Sequence, residues 1–204
     1  MTFKTIPVGF LKTNCYVIID DTTRECVVID PGAHPNRILT ELAGLTPRYI
    51  FLTHGHFDHI QAVPEVRAAY PVPLVIHRAD EQSLYDRTLS RIPANVKIAP
   101  PEVLAEDGQI FTVGGLTLDW IHTPGHTPGS SVIRCRRELF TGDTLFAGDC
   151  GRCDLPGGDY GQMLKSLRRL AELDGDYGVH PGHEEASTLD TERRVNVNMR
   201  EATG

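Results

Sequence analysis

Along the chain, runs of β-branched and aliphatic residues alternate with short polar or glycine-containing breaks. "CYVIID" at 15–20 and "CVVID" at 26–30 flank the polar turn "DTTRE" and predict a β-hairpin. "DPGAHPNRILTELAG" then sets Ile38, Leu39 and Leu42 on one face of a short helix that stops at Gly44. The strand "YIFL" runs directly into "THGHFDH", after which Ile60, Val63, Val66 and Tyr70 recur at helical spacing, with Pro64 early enough to be tolerated. "PLVIH" predicts another strand and "ADEQSLYDR" a helix. Residues 90–108, rich in proline and charge, predict a long surface loop.

Strands return at "QIFTVGGLTLDWIHT", "SSVIRCR" and "ELFTGD", with Gly114-Gly115 marking a hairpin. Asp159 is the expected N-cap of a helix whose buried stripe is Met163, Leu164, Leu167 and Leu170. "GVHPGH" and a charged amphipathic segment from about Thr188 close the chain. Hairpins interleave with helices in both halves without regular βαβ alternation. That pattern predicts an α/β protein of two packed sheets with helices outside.

The length of 204 residues predicts a single domain over 1–204. With 20 Lys and Arg against 27 Asp and Glu, and no basic run, nucleic acid is not an expected partner. The opening "MTFKTIPVGFLKTNCYVIIDD" holds neither a signal-peptide core nor a membrane-length apolar segment, so no membrane association and a cytoplasmic location are expected. Five scattered cysteines, Cys15, Cys26, Cys135, Cys150 and Cys153, fit a reducing compartment better than a disulfide framework.

The chemistry is concentrated where apolar runs end. "YIFLTHGH", "DWIHTPGH", "LFTGD" and "YGVHPGH" each carry potential metal ligands, and if each run is a strand the ligands gather on loops at one sheet edge. An extended backbone turns residues i and i+2 to the same side, so His54 and His56 suit one ion. Asp58 and His59, where the chain turns into a helix, suit a second ion roughly 3.5 to 4 Å away. His34, His77, His122 and His180 read as ordinary hydrogen-bonded histidines.

"THGHFDH", "HTPGHTPGS", "LFTGDTLF", "GRCDLPGG" and "PGHEEAST" resemble, in order and spacing, the motifs of the metallo-β-lactamase superfamily, and within it the glyoxalase II-like hydrolases. The resemblance spans nearly the whole chain and implies an αββα four-layer sandwich with a dinuclear site at one edge. It implies that His54, His56 and His126 hold one metal, that Asp58, His59 and His183 hold the other, and that Asp143 bridges. Two divalent ions are implied, zinc first, with iron or manganese as alternatives. The pairing of Asp58 with His59 argues against antibiotic hydrolysis.

The implied reaction is thioester hydrolysis of S-D-lactoylglutathione or a related S-acyl thiol, by a bridging hydroxide whose pKa the metals lower from about 15.7 toward 7. Asp58 and Asp143 are the implied catalytic residues. Arg152 stands where full-length glyoxalase II enzymes place a lysine that contacts glutathione, which makes it the expected substrate-binding cation, while Asp154 replaces a tyrosine. A single domain without their C-terminal helical glutathione-binding domain is expected. Rival readings are a mononuclear-iron persulfide dioxygenase, a phosphodiesterase and a non-enzymatic metal or thiol sensor built on Cys150 and Cys153.

Overall fold

Every residue of "TNCYVII" is buried, on both faces of its strand. Cys15, Val17 and Ile19 join one apolar cluster and Tyr16 and Ile18 another, so this strand must lie between two packed layers. The computed structural model describes residues Met1–Gly204 and places that strand within the first of two six-stranded sheets. β1 (Thr2–Val8), β2 (Thr13–Ile19) and β3 (Glu25–Ile29) pair antiparallel, and β4 (Thr46–Leu52), β5 (Leu74–His77) and β6 (Val103–Ala105) continue the sheet in parallel. The second sheet follows in chain order from its far edge: β7 (Ile110–Val113), β8 (Leu116–His122), β9 (Ser131–Cys135), β10 (Glu138–Gly142), β11 (Gly178–Pro181) and β12 (Ser187–Thr188). Only β10 and β11 pair in parallel there, joined through α5 (Tyr160–Ala171).

Between the sheets lies an aromatic-rich core that includes Tyr16, Phe51, Phe111, Trp120 and Phe140. Trp120 is wholly buried, and its Nε1–H donates to Ser131 Oγ at 2.8 Å, so burying the indole leaves no polar atom unpaired. Outside the first sheet pack α1 (Pro35–Glu41) and α3 (Val63–Ala69), and outside the second α5, α6 (Leu189–Val195) and α7 (Val197–Thr203). The four layers are the expected αββα sandwich. No helix is long and apolar enough to cross a membrane.

The predicted hairpins and the α5 stripe are present: Asp159 Oδ1 accepts from Gln162 N–H at 2.9 Å, and Met163, Leu167 and Leu170 are buried. Three expectations are corrected. The helix after the histidine cluster is two pieces, α2 (Phe57–Ile60) and α3, because Ala62 N–H donates to Pro31 O at 2.9 Å and leaves the helical ladder. Segment 79–87 is not one helix; a 3-10 turn over Arg78–Leu84 precedes the single-turn α4 (Arg87–Ser90). Residues 90–108 contain the edge strand β6, with Ile92 and Ile98 anchored in the outer core. β1 is a strand the apolar pattern alone did not announce.

Candidate metal centre

β4 and β10 end just before His54 and Asp143, β8 ends before the loop to His126, and β11 ends just before His183. All seven candidate ligands therefore meet at one edge of the sandwich. The side chains form three overlapping groups whose ligand atoms lie within 4.8 Å of one another: His54, His56 and His126; Asp58, His59 and His183; and His54, His59 and Asp143. The first two are the half-sites expected from the sequence. The third joins them, with Asp143 Oδ1 3.4 Å from His59 Nε2 and Oδ2 3.5 Å from His126 Nε2. His183 Nε2 lies 3.2 Å from Asp58 Oδ2, and His56 Nδ1 2.8 Å from His126 Nε2.

Hydrogen bonds on the outer side of the rings fix which nitrogens face inward. His126 Nδ1 lies 2.7 Å from the Arg152 carbonyl and His183 Nδ1 3.2 Å from the Leu11 carbonyl; a carbonyl only accepts, so both Nδ1 atoms carry the proton. Asp30 Oδ2 accepts from Thr53 Oγ1–H at 2.6 Å and from His59 Nδ1–H at 2.9 Å. Thr53 Oγ1, its proton committed, accepts from His54 Nδ1–H at 3.1 Å. Four imidazoles thus turn Nε2 toward the centre, the atom that metal-bound histidines offer once it carries no proton.

Two buried polar atoms, His54 Nε2 and Asp143 Oδ1, have no hydrogen-bond partner. Orphaned acceptors beside further inward-facing acceptors are costly unless a cation satisfies them, so the donor set fits divalent metal. Burial, reinforced by His59 and His126, holds His54 well below its ordinary pKa, and burial with His126 takes His56 down to about 3. Burial opposes the charge on Asp58, yet His59 and His183 bring it down to about 2. Burial likewise opposes a charged His59, but Asp58, Asp143 and Asp30 raise it well above the usual range. Asp143 is held ionised against burial chiefly by His59.

The family model of the metallo-beta-lactamase superfamily matches residues 8–183. The chain belongs to that superfamily. The hydroxyacylglutathione hydrolase GloC of Haemophilus influenzae is 30% identical over 206 residues, covering 96% of this chain and 97% of its own. Among solved structures, BLEG-1 B3 metallo-beta-lactamase is 35% identical with a TM-score of 0.91, covering 97% of this chain and 99% of its own. ETHE1 from Myxococcus xanthus is 29% identical with a TM-score of 0.81, over 100% of this chain and 88% of its own. TTHA1623 in a di-iron-bound form is 33% identical with a TM-score of 0.83, over 95% and 98%.

In this metallo-beta-lactamase superfamily chain the centre opens into a cleft of about 880 Å³, which His56, Asp58, His126, Asp143 and His183 line together with Phe57, Phe146 and Leu155. Gly182 closes the back of the centre, where a Cβ would collide with Asp143 Oδ1 and His59 Cε1. Arg152 lines the cleft, but its guanidinium is engaged: Nε and Nη2 each donate to Asp154 at 2.7 Å. The sequence singled out its side chain, whereas its carbonyl is what orients His126. Arg91 and Lys12, which sequence reasoning passed over, also line the cleft and make no ion pair.

Cys150 and Cys153 are half-buried free thiols. Burial, with Cys153 beside it, pushes Cys150 up to about 12, and burial raises Cys153 as well, the opposite of a reactive thiolate. His34, His77, His122 and His180 stay outside the centre: His180 pairs with Glu138 at 2.6 Å, and His77 stacks on His122 with centroids 3.8 Å apart. Asp30, the residue the sequence reading missed, had one visible signal, an acidic residue ending the strand run "CVVID" before Pro31-Gly32.

Proposed function

We propose that this protein is a dinuclear metal-dependent hydrolase of thioesters on an anionic thiol carrier, with S-D-lactoylglutathione and related S-acyl thiols as the first substrate class. The observation that carries the reading is the seven-residue donor set, in which Asp143 lies between two groups of inward-facing ligand atoms and the whole set opens on a cleft. His54, His56 and His126 would hold one ion, Asp58, His59 and His183 the other, and Asp143 both. Zinc is the first choice of metal, with iron, favoured by the di-iron relative, or manganese next. When bound, the ions supply an acidified water and a Lewis acid for the acyl oxygen.

The protein's own groups do the rest. Water's oxygen bonds to the acyl carbon, the carbon–sulfur bond breaks, and the proton passes to the departing sulfur. Asp58, ionised and facing the cleft, accepts that proton in transit, while Thr13 Oγ1–H donates to its Oδ2 at 3.0 Å and fixes its rotamer. Asp143 keeps the two halves in register. No thiol serves as nucleophile, since Cys150, the cysteine that lines the cleft, is held protonated by burial. A thiolate leaves easily because thiols ionise near pH 8.5. Arg91 and Lys12, being unpaired, replace Arg152 as the cations that meet a carrier carboxylate. The relative named as hydroxyacylglutathione hydrolase supports glutathione as that carrier.

The test is a steady-state screen of metal-quantified protein against S-D-lactoylglutathione, other thioesters, glutathione persulfide with oxygen uptake, a phosphodiester and a β-lactam. The β-lactam arm answers to the BLEG-1 similarity. Thioesters are expected to give the highest kcat/KM. No thioester turnover with zinc, iron or manganese, or faster turnover of any other arm, would overturn the proposal.

A further inference from the structure

A second buried carboxylate near the centre touches none of the candidate ligands. Asp80 lies in the 3-10 turn after β5 and is 2% exposed. Its Oδ2 accepts from Gly55 N–H at 3.1 Å and from Thr127 Oγ1–H at 2.7 Å, and its Oδ1 accepts from Gly129 N–H at 2.6 Å. Gly55 separates His54 from His56, and Thr127 directly follows His126. Every donor to this carboxylate therefore belongs to one of the two loops that carry the His54, His56 and His126 nitrogens.

The fit around Asp80 is close on both sides. A Cβ on Gly129 would stand 2.6 Å from Asp80 Cβ, and one on Gly55 would collide with Ser83, whose Oγ–H donates to the Asp80 carbonyl at 2.5 Å. Thr127 Oγ1, donating to Asp80, is itself 2.7 Å from Ser130 Oγ, which accepts from Thr127 N–H at 3.0 Å. No residue in this set faces Asp58 or His183.

We infer that Asp80 is a positioning residue that fixes the distance between the His54–His56 loop and the His126 loop, and thereby the metal affinity of that half of the centre alone. The inference rests on the reading in which those three histidines hold an ion. An ionised carboxylate suits the task because it only accepts, and three donors converge on it. An amide of the same shape turns an N–H group toward the backbone N–H of either Gly55 or Gly129, whichever way it is flipped. One of the two loops is then released.

The experiment titrates metal-free full-length protein with zinc in competition with a chromophoric chelator and resolves two binding steps, assigned with His56→Ala and His59→Ala. Asp80→Asn is expected to weaken the step lost in His56→Ala by about 10- to 100-fold, the usual effect of removing a group that orients metal ligands, and to leave the other step nearly unchanged. Thr127→Val, which removes one of three donors and keeps the volume, moves the same step by a smaller factor and decides the matter if Asp80→Asn does not fold. Unchanged affinities, or equal weakening of both steps in folded variants, would overturn the role of Asp80. Wild-type protein that takes up no zinc would overturn the metal reading itself.

Discussion

Asp30→Asn tests how the second half of the centre is held. Asp30 has a left-handed backbone with φ of 51°, a conformation asparagine tolerates well, so the substitution adds no backbone strain. The wild-type carboxylate takes three donors: Thr53 N–H at 2.8 Å, Thr53 Oγ1–H at 2.6 Å and His59 Nδ1–H at 2.9 Å. Asparagine keeps one acceptor for Thr53 N–H, and its amide nitrogen then faces His59 Nδ1. To avoid two opposed donors, His59 gives up its Nδ1 proton and keeps one on Nε2, the atom that points at Asp58, Asp143 and His183. Ligation requires the reverse tautomer. Restoring it without the charged acceptor costs about 1.5–3 kcal/mol, a factor of roughly 10 to 100 in affinity for the second ion. The first ion is touched only through Thr53 and His54, and loses less. Calorimetric zinc titration of the metal-free variant reads both steps. Retention of wild-type affinity at both, or an equal loss at both, would refute the tautomer argument.

Gly182→Ala forces Asp143 and His59 aside and should lower kcat/KM by about 100-fold or more, with the bound metal content measured alongside. Asn196, wholly buried, donates through Nδ2 to the Phe146 and Asp149 carbonyls and to Glu192, and caps α7 through Oδ1, so Asn196→Ala should cost about 2–4 kcal/mol and lower Tm by about 4 to 16 °C. His77 is lowered from 6.5 to about 4 by burial and then by His122, so the folded form binds fewer protons than the unfolded one between those values. Its contribution is complete above pH 6.5 and lost as pH falls toward 4; urea midpoints of His77→Phe should decline less over that window than those of the wild type, and parallel curves would contradict this. Arg91→Ala should raise KM for S-D-lactoylglutathione about tenfold with kcat little changed, whereas Asp154→Ala, by freeing Arg152, should lower KM.

Short-range signals were legible because they are local. The hairpin of β2 and β3, the Asp159 cap and the i, i+2 pair His54 and His56 each depend on residues a few positions apart. What failed depended on partners far along the chain. β6 has three residues and lies behind Pro100 and Pro101, and only pairing with β5 makes it a strand. The break between α2 and α3 is imposed by the Pro31 carbonyl, which no pattern in 57–70 reveals. Arg152 is a separate case: it pairs with Asp154 only two residues on, and residue identity alone does not announce that side-chain arrangement.

By itself the strand and helix pattern determined two packed sheets with helices outside, and the density of ligand types marked His54, His56, Asp58 and His59; the four-layer sandwich and the addition of His126, Asp143 and His183 came from the family resemblance of the motifs. The tertiary structure alone decided which nitrogen each histidine offers, because the atoms that set it come from remote positions: Asp30 for His59, the Leu11 carbonyl for His183 and the Arg152 carbonyl for His126. It also decided which cations remain unpaired in the cleft. A ligand's identity is written in its side chain, whereas its tautomer and aim are set by whatever the folded chain brings to its other side.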